Sequence, residues 1–256
     1  MEDFYLTLPS NSSMTQYPNN HAGHYFTQLP QNIDLSRNDY EIGLAEIQIP
    51  NSYWNVENNT AMITIKTTRN SSDKDLFLRA GLYDTPEHLI FCLNELIKLA
   101  YTTDEKKTVI LSKFFYDRAS KKAILKIYEK GGEIRLNPTL QHILGMSGMT
   151  MTGPAEFEGD RVVDVHVGSY SIYVYCDLVA HRQVGDYMVP LLRVVPTNDK
   201  TTDMIYRIFE KPHYQRLART QFNTVEILLT TDTGKPLSFV NGKAVVTLHL
   251  RSRRLY

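Results

Sequence analysis

From Val162 onward the chain is a succession of short apolar and polar alternations separated by turn residues, with no helical period among them. The runs cover 162–167, 171–178, 191–195, 205–210, 224–230 and 243–250. A parallel sheet needs a long crossover, usually a helix, between successive strands. This part of the chain offers none, which argues against a parallel α/β sheet and for an antiparallel sandwich. The stretch Asp232-Thr233-Gly234-Lys235-Pro236 closes the fifth run as a turn, and Asn241-Gly242 is a tight-turn dipeptide leading into the last.

The first half carries weaker strands and the helices. Short strands are expected at 4–8 and at 25–29, the second closed by Pro30, with the Asn-, Ser- and Gln-rich stretch 11–20 between them as an exposed loop or arm. In 40–49, Tyr40, Ile42 and Leu44 share one face, whereas Ile47 and Ile49 fall out of phase with them. That slip predicts a bulge near Ala45-Glu46, or a strand buried on both faces, ended by Pro50. Another strand is expected at 62–66. Thr85 as N-cap, Pro86 behind it, and Leu89, Leu93, Leu96, Ile97 and Ala100 at helical spacing predict an amphipathic helix of about four turns. A shorter helix is signalled by Asn137, Pro138, the stripe Leu140, Ile143, Leu144, and Gly145 as its stop. Between them, 108–116 and 123–128 read as a strand pair across the polar turn 117–122, and the Gly-, Met- and Thr-rich 146–159 as an exposed loop. The chain is therefore all-β, about ten strands in a β-sandwich with two helices in inserted or connecting segments. A jelly roll suits the size and strand number, and an immunoglobulin-like or other Greek-key sandwich has the same sequence pattern.

Composition narrows the function classes. With 256 residues and 42% hydrophobic content the chain can bury a large core. Its 28 basic and 28 acidic side chains cancel, so it lacks the basic excess with which a dedicated nucleic-acid binder displaces counterions. The cluster Arg251, Arg253, Arg254 reads as a solvated charged end. No apolar run reaches the roughly 20 residues of a membrane span, and no signal peptide is expected at MEDFYLTLPS. The triplets beginning at Asn11, Asn58 and Asn70 match a glycosylation acceptor but read as polar loops, and Cys92 and Cys176 as buried reduced thiols. The 16 tyrosines suit half-buried strand surfaces and subunit contacts, where the ring packs and the hydroxyl stays wet.

A search for chemistry leaves no catalytic, cofactor-binding or metal-binding residues to assign. No glycine-rich phosphate loop, GxSxG elbow or HExxH is present. His21 and His24 have a ligand-like spacing without a third ligand and read as surface loop histidines. His213, considered as a general base with Glu210 its only acidic neighbour, reads as a structural histidine packing beside Tyr214. Asp177 and Asp186, considered as a carboxylate pair, read as caps of strand-end turns.

One ordered set of motifs remains. It comprises Tyr40-Glu41-Ile42-Gly43-Leu44-Ala45-Glu46-Ile47, Tyr173-Val174-Tyr175-Cys176-Asp177, Val184-Gly185-Asp186 and Pro190-Leu191-Leu192-Arg193-Val194-Val195-Pro196. Lys211-Pro212-His213-Tyr214, Phe222-Asn223-Thr224-Val225-Glu226-Ile227, Asp232-Thr233-Gly234-Lys235-Pro236 and Gly242-Lys243-Ala244-Val245-Val246-Thr247-Leu248 follow. In this order the set resembles the penton, or minor capsid, proteins of Maverick/Polinton elements and related adintoviruses, over 4–250 and most densely after Ile172. The resemblance implies a single jelly roll over 1–256, with 58–159 as an insertion carrying both helices. It also implies a homopentamer at the vertices of an icosahedral shell, a double jelly-roll major capsid protein as partner, residence in the virion after assembly inside the host cell, and no catalytic residues. A β-sandwich ligand- or receptor-binding module is the alternative, and a metal-dependent cupin-type enzyme a more distant one.

Overall fold

The computed structural model describes residues 3–37, 39–68, 70–101, 111–148, 150–166, 170–197 and 204–253, with the backbone alone for 70–72. In chain order the elements begin with β1 (Asp3–Pro9), β2 (His24–Asp34) and β3 (Tyr40–Pro50). Then come β4 (Met62–Thr67), β5 (Asn70–Phe77), α1 (Pro86–Ala100), β6 (Ser112–Asp117), β7 (Lys122–Ile127), β8 (Glu133–Leu136), α2 (Pro138–Leu144), β9 (Met151–Thr152) and β10 (Ala155–Glu158). The series ends with β11 (Ser171–Cys176), β12 (Arg182–Val184), β13 (Tyr187–Val189), β14 (Leu191–Pro196), β15 (Met204–Ile208), β16 (Gln215–Arg216), β17 (Gln221–Thr230) and β18 (Val245–Ser252). They form two compact units: Met1–Tyr53 with Ser169–Tyr256, and Trp54–Gly168.

The discontinuous unit is a jelly roll. One sheet has the order β1-β18-β3-β15, with β16 also on β3, and the other the order β14-β11-β17-β2. Counting only the eight long strands of this unit along the chain, the sheets run 1-8-3-6 and 5-4-7-2, every pairing antiparallel. That is two interlocked Greek keys, which separates the jelly roll from the other sandwiches. Alternate residues of both sheets meet in one core that includes Leu8, Tyr25, Ile42, Leu44, Ile172, Val174, Ile227, Leu229, Val246 and Leu248. Each fully buried aliphatic side chain here stabilises the fold by about 1.5–3 kcal/mol.

The phase slip in β3 is a bulge, where the sequence places it. Glu46 pairs with Thr247 and Leu44 with Leu248, so Ala45 is the extra residue. The bulge turns Ile47 and Ile49 back into the same core as Ile42 and Leu44. Pro30, in contrast, does not close its strand, because β2 runs on to Asp34. β2 is the last strand of its sheet, and Leu29 to Asn32 stand opposite Asn223 alone, so proline breaks no regular ladder. The stretch 11–20 is a fastened loop rather than a free arm. Asn20 donates to the carbonyls of Ser12 and Phe26 and accepts the Phe26 N–H, while Ser13 Oγ accepts the Gln28 N–H.

The unit Trp54–Gly168 holds the sheets β5-β4-β8-β9 and β10-β7-β6 and both helices, around a second core. Both helix ends are as expected: Thr85 Oγ1 accepts the His88 N–H at 3.1 Å, and Asn137 Oδ1 the Leu140 N–H at 3.1 Å. Gly145 stops α2 in the left-handed region at φ 66°. Asn94 of α1 exchanges two hydrogen bonds with the backbone of Phe114 and so ties the helix to β6. The strand pair expected at 108–116 and 123–128 is β6 and β7, although 108–110 lie outside the described residues.

Three expectations fail in this unit. The run 162–167 is no strand over its described part, and Val167 lies outside the described residues. Val163 and Val165 are buried in the second core, but their segment follows turns, bonded through Val163 N–H to the Lys121 carbonyl and Asp164 N–H to the Ile143 carbonyl. Alternation reported burial there without a strand partner. The stretch 146–159 is not simply a loop, because it contains β9 and β10 around the cis Gly153-Pro154 bond. Its strand signal is masked by charge: Glu156 and Glu158 of β10 pair with Lys126 and Lys122 of β7 at 2.8 and 3.1 Å. Gly153 is required by close approach, since a Cβ there would lie 2.3 Å from Ile127 Cγ2. Finally, Asn70-Ser71-Ser72, read as a loop, begins β5, a polar strand held by its pairing with β4.

Candidate functional site

The outer face of the β1-β18-β3 sheet carries a connected patch. Tyr5 stacks on His249 with ring centroids 4.4 Å apart, and the Tyr214 hydroxyl lies 2.8 Å from His249 Nδ1. Arg251 lays its guanidinium 3.5 Å from the Tyr214 ring centre and reaches Glu41 at 2.6 Å. Partial burial raises the Tyr214 pKa above the ordinary phenol value. Gly43 makes room for this arrangement, because a Cβ would meet Pro212 Cβ at 2.8 Å. The sequence reading of His213 is corrected here: His213 is exposed, and the histidine beside Tyr214 is His249, from the neighbouring strand β18. The basic tail is also more than a solvated end. Arg251 is bound as described and Arg253 lies 3.7 Å from Asp39, while Arg254 is outside the described residues.

The outer face of the β14-β11-β17-β2 sheet holds the other candidates. His21 and His24 do lie together, in a bridge between their backbones. His24 begins β2 and is not a loop residue; its Nε2 meets Glu226 Oε1 at 2.7 Å. The His21 pKa is lowered by partial burial and by His24 beside it. Among the described residues no three His, Cys, Asp or Glu side chains are grouped to hold a metal ion. Asp177 accepts the Glu226 N–H at 2.9 Å and an ion pair from Arg219, and burial raises its pKa. It therefore joins β11 to β17 rather than capping a turn of its own. Asp186 stands exposed in the turn between β12 and β13. Sequence reading missed Glu226 and Arg219, which lie 49 and 42 residues from Asp177 and carry no local signal.

Neither cysteine is placed for nucleophilic work. Cys176 is buried and Cys92 half-buried, both free, and burial pushes both thiols up, away from the reactive thiolate. A cleft of about 320 Å³ lies beside Cys176, lined by Tyr175, Asp177, Val189, Pro190, Glu226 and Leu228 among others. Large apolar side chains are exposed elsewhere on the jelly roll. Tyr187 and Met188 stand out at 74% and 62% on the β12-β13 hairpin, and Tyr206 and Ile208 at 50% and 58% on β15, the end strand of its sheet. Exposed apolar groups on an edge strand invite contact with another chain.

The strand order defines a single jelly roll, with the segment of the second unit inserted in the chain between its third and fourth strands. No protein-family model matches the sequence, and no curated protein matches it. Among solved structures, the chain is similar to the mavirus penton protein, with 12% identity over 98% of this chain and 100% of that one at a TM-score of 0.51. A chain of the Sputnik virophage cryo-EM structure matches at 13% identity, 98% of each chain and a TM-score of 0.47. The likeness to a penton protein expected from the sequence thus holds in the fold. No helix among the described residues is long and apolar enough to cross a membrane.

Proposed function

We propose that this protein is a penton-type minor capsid subunit, a structural protein of the virion that assembles inside the host cell and has no enzymatic role. The observation that carries the reading is the jelly-roll strand order of the discontinuous unit, together with a fold likeness to the mavirus penton protein that covers 98% of this chain. Five copies close into a ring at each vertex of an icosahedral shell, against a double jelly-roll major capsid protein. Ring closure needs two different surfaces per subunit. The apolar edge strand β15 and the β12-β13 hairpin supply two, on different elements of the jelly roll. We read the unit Trp54–Gly168 as an insertion between the third and fourth strands of the roll.

Light scattering on the chromatographed full chain, followed by co-expression with a double jelly-roll major capsid protein, tests this. A pentamer that joins particles is the expected result. A protein that stays monomeric at every concentration and is absent from the particles overturns it.

A further inference from the structure

We propose that the cleft on the outer face of the β14-β11-β17-β2 sheet receives a basic side chain, arginine or lysine, presented by a partner polypeptide. The outer face of such a sheet normally meets water and is polar. Here the opposed pair Tyr175 and Leu228 is half-buried, because Val189 at the end of β13, Pro190 behind it, Thr230 at the end of β17 and Gly234 in the turn that follows wall it in. The result is a mostly apolar trough with room for one long side chain, inside the size range of specific binding clefts.

Its charged lining chooses the occupant. Among the described residues that line it, Asp177 and Glu226 are the carboxyl groups and none is a Lys, Arg or His. Asp177 is already engaged through both oxygens, by the Glu226 N–H and by Arg219. Glu226 Oε1 accepts from His24 Nε2, and Oε2 has no hydrogen-bond partner among the described residues. An anion entering the trough would be repelled, and a neutral apolar group would strip water from Glu226 Oε2 without replacing it. An arginine or lysine meets each demand. Its aliphatic stem packs along Leu228 and Pro190, its charge faces the Tyr175 ring, and its N–H groups reach Oε2.

The cleft belongs to the jelly roll of one chain, so its test needs no assembly and stands apart from the penton reading. The full chain, with labelled leucine methyls, is titrated at neutral pH with N-acetyl-arginine methylamide and with its neutral isostere N-acetyl-citrulline methylamide. Saturable shifts of the Leu228 methyls are expected with the arginine compound, and about ten-fold weaker binding with the citrulline one. Glu226→Gln should weaken arginine binding by about ten-fold and leave citrulline binding unchanged. Should that variant disturb the sheet, Glu226→Asp, which keeps the charge but shortens its reach, is expected to bind arginine with intermediate affinity. Equal binding of the two compounds, silent Leu228 methyls, or undiminished arginine binding by folded Glu226→Gln overturns the proposal.

Discussion

Thr27→Val is expected to stabilise the jelly roll, and the size of the gain follows from one orphaned atom. Thr27 lies in β2 between the core residues Tyr25 and Leu29, is 7% exposed, and its Oγ1 is buried without a hydrogen-bond partner. A buried hydroxyl left unpaired costs about 1–3 kcal/mol of desolvation. Valine has nearly the same shape and branching, so backbone preference and packing change little, and its added methyl gains hydrophobic burial. The low end of the range applies to a site that still touches solvent, giving about 1–2 kcal/mol of added stability. Thr230→Val is the control. Thr230 is 2% exposed, but its hydroxyl donates to the Thr231 carbonyl at 2.9 Å, so this variant should be neutral or destabilised. Urea unfolding followed by circular dichroism reads both, with an unchanged slope required for each. Trp54, the one tryptophan, belongs to the other unit and reports that unit's transition by fluorescence. A Thr27→Val midpoint at or below that of the parent protein, with Thr230→Val behaving as stated, would refute the reasoning and place an ordered water on Thr27.

Three further outcomes are expected. Tyr206→Lys with Ile208→Lys should leave the monomer's melting temperature nearly unchanged, since both side chains are exposed, yet abolish the proposed oligomer when read by light scattering; an oligomer that persists in the variant would remove β15 from the interface. Gly43→Ala should cost about 1–3 kcal/mol by overpacking, because its Cβ would press on Pro212 and Tyr214, and should weaken the Tyr214–His249 contact, readable in the His249 ring resonances. Asp117 has a lowered pKa because the Ser120 hydroxyl and the Ala119 and Ser120 N–H groups bond its carboxylate. Its contribution is present above the unfolded carboxylate pKa and lost as pH falls through the lower folded value. Asp117→Ala should therefore be less stable than the parent at neutral pH, with the gap closing in acid; a gap independent of pH would contradict the assignment.

Sequence signals whose cause lies within a turn or a cap mostly survived, Pro30 being an exception. The caps Thr85 and Asn137, the αL stop at Gly145 and the slip at Ala45 act within a few residues, so each was legible and each is present. Pairing is not local. β5 and β10 are strands because β4 and β7 offer them an edge, and their polar sequences hide this. The stretch 162–166 alternates correctly but finds no partner strand. Tyr214 meets His249 rather than its neighbour His213 for the same reason, since sheet register decides which side chains touch across 35 residues of chain.

By itself, the sequence determined an all-β sandwich with a helix-bearing middle, because side-chain periodicity and turn residues act at short range. Tertiary structure alone decided the 1-8-3-6 and 5-4-7-2 strand order, the second unit's own core, and the cleft that joins Asp177 to Glu226. Those depend on which distant strands exchange backbone hydrogen bonds, a choice made by burying both sheets' apolar faces together, and no window of sequence contains it.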